Sequence, residues 1–147
     1  MKCTIYTDGA CSNNPGPGGW AFYLHTESVK KTISGFEKET TNNRMELIAT
    51  IKALEYSYAE DFTEIHLYTD SKYVMQGITL WCKSWLKNNW MTASKKPVKN
   101  KDLWQQLLNL TSVKTAKINW FWVKGHSGDI GNEIADQAAR DAITKHV

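Results

Sequence analysis

Two aspartates close the same tripeptide at distant points of the chain, Tyr6-Thr7-Asp8 and Tyr68-Thr69-Asp70, each at the end of a short apolar segment entered through Ile5 and Leu67. Each segment is expected to be a strand. If the two lie parallel and adjacent, the inter-strand spacing of about 4.8 Å sets Asp8 beside Asp70 at one sheet edge. The ions of a two-metal phosphoryl-transfer site stand roughly 3.5 to 4 Å apart, which is the same scale. Two carboxylates held that close repel, and a divalent cation is their natural partner.

Two further acids are expected to reach the same place, Glu46 near the first turn of one helix and Asp136 in the first turns of another. Four converging carboxylates without partners would push some of their number to neutrality. Mg2+ resolves the conflict, because it takes oxygen ligands, keeps several waters and is completed by substrate phosphate. Residue types alone leave other readings open. Asp8-Gly9 suits a turn, Asp70-Ser71 suits a helix cap, and Glu46 and Asp136 suit helix starts for dipole reasons.

The elements that must position these acids can be read from periodicity. After the first strand, a loop from Gly9 to Gly19 leads to strands expected at Trp20 to Glu27 and Val29 to Glu37, an antiparallel meander. Thr40-Thr41-Asn42-Asn43 supplies capping residues for a helix with Leu47, Ile51, Leu54 and Tyr58 on one face. A strand from Thr63 to Asp70 follows, then a helix from Ser71 through Trp85, a lysine-rich connection, and a helix from Asn100 to Leu110. A strand from Ala116 to Val123, with Ile118, Trp120 and Trp122 alternating onto one face, and a helix from Asn132 to Ile143 follow. Three strands joined through helices run parallel, and the hairpin extends one edge. The fold class is therefore α/β, a layered domain with a five-stranded mixed sheet flanked by helices. In such sheets the functional crevice lies beyond the carboxyl ends of the parallel strands, where Asp8 and Asp70 fall.

At 147 residues and 41% apolar, the chain is expected to form one domain, residues 1–147. Cys3, Cys11 and Cys82 make no CxxC pair, which suggests neither a disulfide framework nor a zinc site and fits a reducing cytoplasm. No apolar run approaches membrane-spanning length and no leader is evident, so a cytoplasmic, unprocessed and monomeric protein is expected. The net charge of +3 conceals a polarity. Between Gly77 and Lys101 stand Lys83, Lys87, Lys95, Lys96, Lys99 and Lys101 with no acid, while the remainder is net acidic. A polyanion held at one place on the surface is the expected partner.

Four strings, TDGACSNNPGPGG from Thr7, TTNNRMEL from Thr40, YTDSKYV from Tyr68 and VKGHSGDIGNEIAD from Val123, together resemble ribonuclease H of type 1, in order and over nearly the whole chain. The resemblance implies a ribonuclease H-like fold and endonucleolytic hydrolysis of the RNA strand of RNA/DNA hybrids, leaving 5′-phosphate and 3′-hydroxyl ends. It implies that Asp8, Glu46, Asp70 and Asp136 bind two Mg2+ ions, with Mn2+ as a substitute, and that His126 helps with proton transfer or product release. It further implies that Cys11, Asn14, Asn42 and Asn43 lie along the RNA, where 2′-hydroxyl contacts discriminate ribose. Lys72 is expected to approach the duplex from the Asp70 side.

Thr41 and Asn100 match the family's DNA-phosphate pocket, and Trp81, Lys83, Trp85, Lys87, Lys95 and Lys96 resemble the basic protrusion of cellular members. The pair Trp81 and Trp85, four apart, would otherwise be core packing; Trp104, Trp120 and Trp122 are expected in the core. One departure stands out. Relatives often carry a basic residue two positions before Thr41, where this chain has Glu39, so weaker DNA-strand binding is expected. The rival reading is a noncatalytic binder of hybrid or double-stranded RNA, which gains nothing from clustered acids facing phosphates.

Overall fold

A computed structural model describes residues 1–112 and 115–146. Strands β1 (Lys2–Cys11), β2 (Gly16–His25) and β3 (Lys30–Thr40) form the meander, followed by α1 (Asn42–Ala59) and β4 (Glu64–Thr69). Helix α2 (Lys72–Gln76) passes through a π-helical turn (Gly77–Trp81) into α3 (Cys82–Lys87), and α4 (Lys101–Thr111), β5 (Lys117–Trp122) and α5 (Ile130–His146) follow. The sheet order is β3-β2-β1-β4-β5, with β1, β4 and β5 parallel and the hairpin strands antiparallel. The mixed five-stranded sheet is thus as expected.

Strand alternation sorts the side chains onto two faces. Cys3 and Ile5 of β1, Phe22 and Leu24 of β2, and Ile65 and Leu67 of β4 join α1 residues Met45, Leu47, Ile51 and Leu54 in the main core, which α4 closes with Trp104 and Leu107. Helix α5 covers the opposite face of β1 and β2 through Ala135, Ala139 and Ala142, all buried. Its small residues allow close approach. The start of α5 packs on Tyr6 through Gly131, and its middle on β2 through Gly19.

Three expectations need correction. Strand β1 does not stop at Asp8. Its parallel pairing with β4 ends at Thr7 and Thr69, but its antiparallel pairing with β2 continues through Asp8–Ala21 to Cys11–Gly18. Backbone pairing with a hairpin partner overrode the loop-like composition, and Asp8 sits where β1 parts from β4. The helix expected from Ser71 through Trp85 is interrupted: Gly77 packs so closely against the Trp104 indole that a Cβ would clash with its outer edge, and the chain opens into a π turn whose last bond runs from Cys82 N–H to the Gly77 carbonyl. Trp122, expected in the core, is 44% exposed, since β5 is an edge strand and its end reaches past the cover of the helices. Trp104 is fully buried and Trp120 packs against the core, in agreement with expectation. Among the described residues no helix is long and apolar enough to cross a membrane.

Candidate active site

Three separate elements deliver the acids. Thr7 and Thr69 are paired in register, so Asp8 and Asp70 leave the parallel ladder side by side. The step after β4 is tied twice: Thr69 Oγ1 accepts from the Ser71 N–H at 3.1 Å, and Ser71 Oγ caps α2 by accepting from the Val74 N–H at 3.1 Å. Thr41 caps α1 in the same way, accepting from the Arg44 N–H at 3.2 Å. Glu46, one residue beyond the first helical turn, is carried to the strand edge by Gly9. A Cβ there would stand 2.5 Å from the Glu46 nitrogen and 2.6 Å from the Met45 carbonyl carbon, so only glycine lets α1 come this near β1.

The result is a cluster in which one carboxylate oxygen each from Asp8, Glu46 and Asp70 lies within 4.8 Å of the others. Asp8 and Glu46 are both 5% exposed. At an effective dielectric of about 20, two like charges about 4 Å apart repel by about 4 kcal/mol, so this cluster cannot hold three charges unaided. Burial above all, then the Asp70 charge, pushes the Asp8 carboxyl up to about 8, against the Gly9 N–H, which donates to Asp8 Oδ1 at 2.9 Å. Burial, with Asp8 and Asp70, raises Glu46 well above the ordinary carboxylate range. Glu46 Oε1 is buried without a hydrogen-bond partner. An orphaned carboxylate oxygen amid two more carboxylates is a hard, oxygen-only donor set, and it fits Mg2+ or Mn2+.

Asp136 lines the same cleft but stands apart from the three, its carboxylate held by Arg140 at 2.9 Å one turn along α5. Its charge still reaches Asp8. His126 also lines the cleft, exposed in the loop after β5 with φ 58°. Cys11, Asn42, Asn43 and Lys72 complete the lining already expected from the sequence. Cys11 Sγ lies 3.4 Å from the Thr40 carbonyl, and Asn14 Oδ1 accepts from the Asn42 N–H at 2.9 Å, which ties the hairpin loop to the start of α1.

Thr41 and Asn100 lie along a chain of contacts that runs through Arg44. The Arg44 guanidinium donates to Asn100 Oδ1 at 3.2 Å and to both carboxylate oxygens of Asp102 at 3.1 and 3.0 Å, while the Asn100 amide donates to the Tyr73 hydroxyl at 3.1 Å. Beyond them lies the basic segment, with Lys83, Lys87, Lys95, Lys96, Lys99 and Lys101 all exposed. Trp81 and Trp85 are half-buried and meet at a tilt, and Trp85 also packs at a tilt on Trp90 and Trp104, with centroid distances of 5.3 to 6.0 Å. Much of each indole is spent on anchoring the segment.

Sequence reasoning passed over Asn132, Arg140, Arg44 and Tyr73. Asn132 is 2% exposed, and its amide donates to Asp70 Oδ2 at 3.3 Å. Arg140 had a readable signal, the i, i+4 spacing from Asp136. The others act across long sequence separations that no local pattern reveals.

The family profile of RNase H matches residues 1–144. The chain belongs to the ribonuclease H family. A ribonuclease H of Bradyrhizobium sp. (strain ORS 278) is 55% identical over 140 residues, 95% of this chain and 88% of that one. The structure of LC9-RNase H1, a type 1 RNase H with the type 2 active-site motif, superposes with a TM-score of 0.87 at 26% identity, over 99% of this chain and 74% of that one. That of LC11-RNase H1 in complex with RNA/DNA hybrid shares the fold with a TM-score of 0.74 at 22% identity, over 97% of each chain. The protein is a ribonuclease H, a nuclease of a divalent-metal-dependent family, and the acidic cluster is the metal-binding candidate in its cleft.

Proposed function

We propose that residues 1–147 act as one monomeric, cytoplasmic catalytic domain that holds two divalent ions, Mg2+ or in its place Mn2+, on Asp8, Glu46, Asp70 and Asp136. It hydrolyses the RNA strand of RNA/DNA hybrids endonucleolytically, leaving 5′-phosphate and 3′-hydroxyl ends. The observation that carries this reading is the convergence of three carboxylates from β1, α1 and the end of β4, with Glu46 Oε1 left unpartnered. When bound, the ions supply positive charge at the scissile phosphate and make a water nucleophilic near neutral pH.

The chain's own residues do the rest. Asp8, set against both Glu46 and Asp70, would hold the ions together with them. Asn132 keeps one oxygen of Asp70 engaged and so fixes the direction of the other. His126, on its exposed loop, moves a proton at the leaving 3′ oxygen or helps product depart. Arg140 holds Asp136 at the cleft edge until phosphate arrives.

The hybrid lies across the cleft. Cys11, Asn14, Asn42 and Asn43 follow the RNA and read 2′-hydroxyls, Asn14 being tied to the start of α1 through its hydrogen bond from the Asn42 N–H. Thr41 and Asn100 hold a DNA phosphate, the latter preset by Arg44 and Tyr73. Lys83, Lys87, Lys95 and Lys96 grip the DNA backbone, and the outer edges of Trp81 and Trp85 meet its sugars. The carboxylate of Glu39 opposes phosphate near Thr41 and weakens that pocket.

A hybrid labelled on each strand in turn, with RNA/RNA and DNA/DNA controls, tests the reading in Mg2+ and then in chelator. Cleavage confined to the RNA of the hybrid and abolished by chelation is expected. Binding without cleavage in either metal would make the protein a noncatalytic hybrid binder.

A further inference from the structure

Trp122 ends β5 opposite Thr69, the last pair of the β4–β5 ladder. The backbone continues that ladder for one bond, from the Val123 N–H to the Thr69 carbonyl at 2.9 Å. The next carbonyl, that of Asp70, has passed the strand end. The Trp122 indole supplies the missing rung, its Nε1–H donating to Asp70 O at 3.1 Å. Although 44% of the residue stays exposed, the ring is therefore fixed in place.

Over the face of that fixed ring stands the Lys72 ammonium, 5.5 Å from the centroid. This is within cation–π range. Lys72 is exposed and lines the cleft that also holds Asp8, Glu46, Asp70 and Asp136, yet among the described residues it forms no ion pair with a carboxylate. A lysine beside four acids would ordinarily be drawn to one of them and its charge neutralised. The indole offers an alternative seat, two residues from Asp70, where the charge remains uncompensated and faces incoming polyanion.

We infer that Trp122 is a positioning residue that holds the Lys72 ammonium at the rim of the cleft for a backbone phosphate of the bound nucleic acid, and at the same time pins the backbone of Asp70. The inference rests on the nuclease reading of the cleft. Both functions come from one side chain, and they separate chemically. Phenylalanine keeps a ring face but loses the N–H; leucine loses both.

The test is a double-mutant cycle on binding of an RNA/DNA hybrid in EDTA, over a series of salt concentrations, with cleavage in Mg2+ measured alongside. Lys72→Met is expected to weaken binding and flatten the salt slope by up to about 0.9, the share of one phosphate. Trp122→Leu is expected to weaken binding about two- to fivefold, the range of an exposed cation–π interaction, and to have little further effect when Lys72 is already Met. Trp122→Phe should keep most of the binding while lowering kcat, since only the Asp70 rung is removed. Additive effects of Trp122→Leu and Lys72→Met would overturn the inference, as would equal binding losses for Trp122→Phe and Trp122→Leu.

A measurement on the unaltered protein guards against a misfolded variant. The Lys72 ε-methylene resonance, assigned by its disappearance in Lys72→Met, should be shifted upfield by the indole ring current. An unshifted resonance would likewise overturn the inference. Wild-type protein that fails to cleave hybrid in Mg2+ would instead refute the nuclease reading itself, so the two failures are told apart.

Discussion

The amide of Asn132 donates to Oδ2 of Asp70 at 3.3 Å, across sixty-two positions of sequence and from a site only 2% open to solvent. Asn132 is also one helical turn before Asp136 on α5, on the same face. One hydrogen bond thus aims Asp70 and docks the helix that brings the fourth acid. The backbone N–H of Asn132 is itself held by Asp129 Oδ1 at 3.1 Å, so the amide is supported from behind.

Asn132→Ala should therefore lower divalent-ion affinity and kcat about 10- to 100-fold, the usual cost of losing a partner that orients a ligating group. Titration of activity with Mg2+, together with calorimetric ion binding, measures both. An unchanged ion affinity would remove Asn132 from this role.

Without divalent ions the acidic cluster makes stability depend on pH, with a defined sign. Asp8, raised from its ordinary 3.8 to about 8 by burial and by Asp70, holds a proton in the folded state that the unfolded chain releases above about 3.8. Its contribution is fully present below the unfolded value and is lost as pH rises through about 8. Glu46, raised chiefly by burial, adds in the same direction. In EDTA, Tm should fall between about pH 5 and pH 8.5, and added Mg2+ should restore it at the alkaline end. Asp8→Asn should show a flatter profile and a higher Tm at the alkaline end in EDTA, with cleavage abolished and hybrid binding kept. A slope equal to that of the wild type in this variant would show that Asp8 is not the titrating group.

Gly9→Ala places a methyl 2.5 Å from the Glu46 nitrogen, and backbone atoms cannot yield as a flexible side chain would. Overpacking of this kind costs about 1–3 kcal/mol. The variant should unfold at lower temperature and bind Mg2+ more weakly, because relief of the clash moves Glu46 away from Asp8. Thermal unfolding in EDTA and Mg2+ titration check the two effects separately.

Replacement of Lys83, Lys87, Lys95 and Lys96 by Ala should weaken hybrid binding and reduce the salt slope by up to about 0.9 for each phosphate no longer neutralised. Because all four are exposed, Tm should change little. Binding isotherms at several salt concentrations decide the matter. A slope that does not move would relocate the grip on the DNA strand.

Much of this protein was legible in its residues. The repeated Tyr-Thr-Asp ending marked two strands and the helical connections made them parallel, while their adjacency, a condition in the sequence, is met in the structure, which pairs Tyr6 with Tyr68 and Thr7 with Thr69. The capping cluster before α1, the helical spacing of Leu47, Ile51 and Leu54, and the acid-free lysine segment are local signals that need no knowledge of the fold. Alternation in Ile118, Trp120 and Trp122 identified a strand, but alternation reports two faces and not what covers them. On an edge strand the last residue lay outside any cover, and Trp122 became a surface residue bonded to Asp70.

Which acids exist, which strands and helices carry them, and where positive charge accumulates can all be read along the chain, because periodicity, capping and composition act over a few residues. How near those acids come is a property of the folded molecule. The 4.8 Å cluster depends on Gly9 admitting α1 and on α5 docking Asn132 against Asp70, while Asp136 stands beside it in its pair with Arg140. These contacts join distant segments. They are set by close packing and by the need to partner buried polar groups, and both conditions are met only once the whole chain has folded.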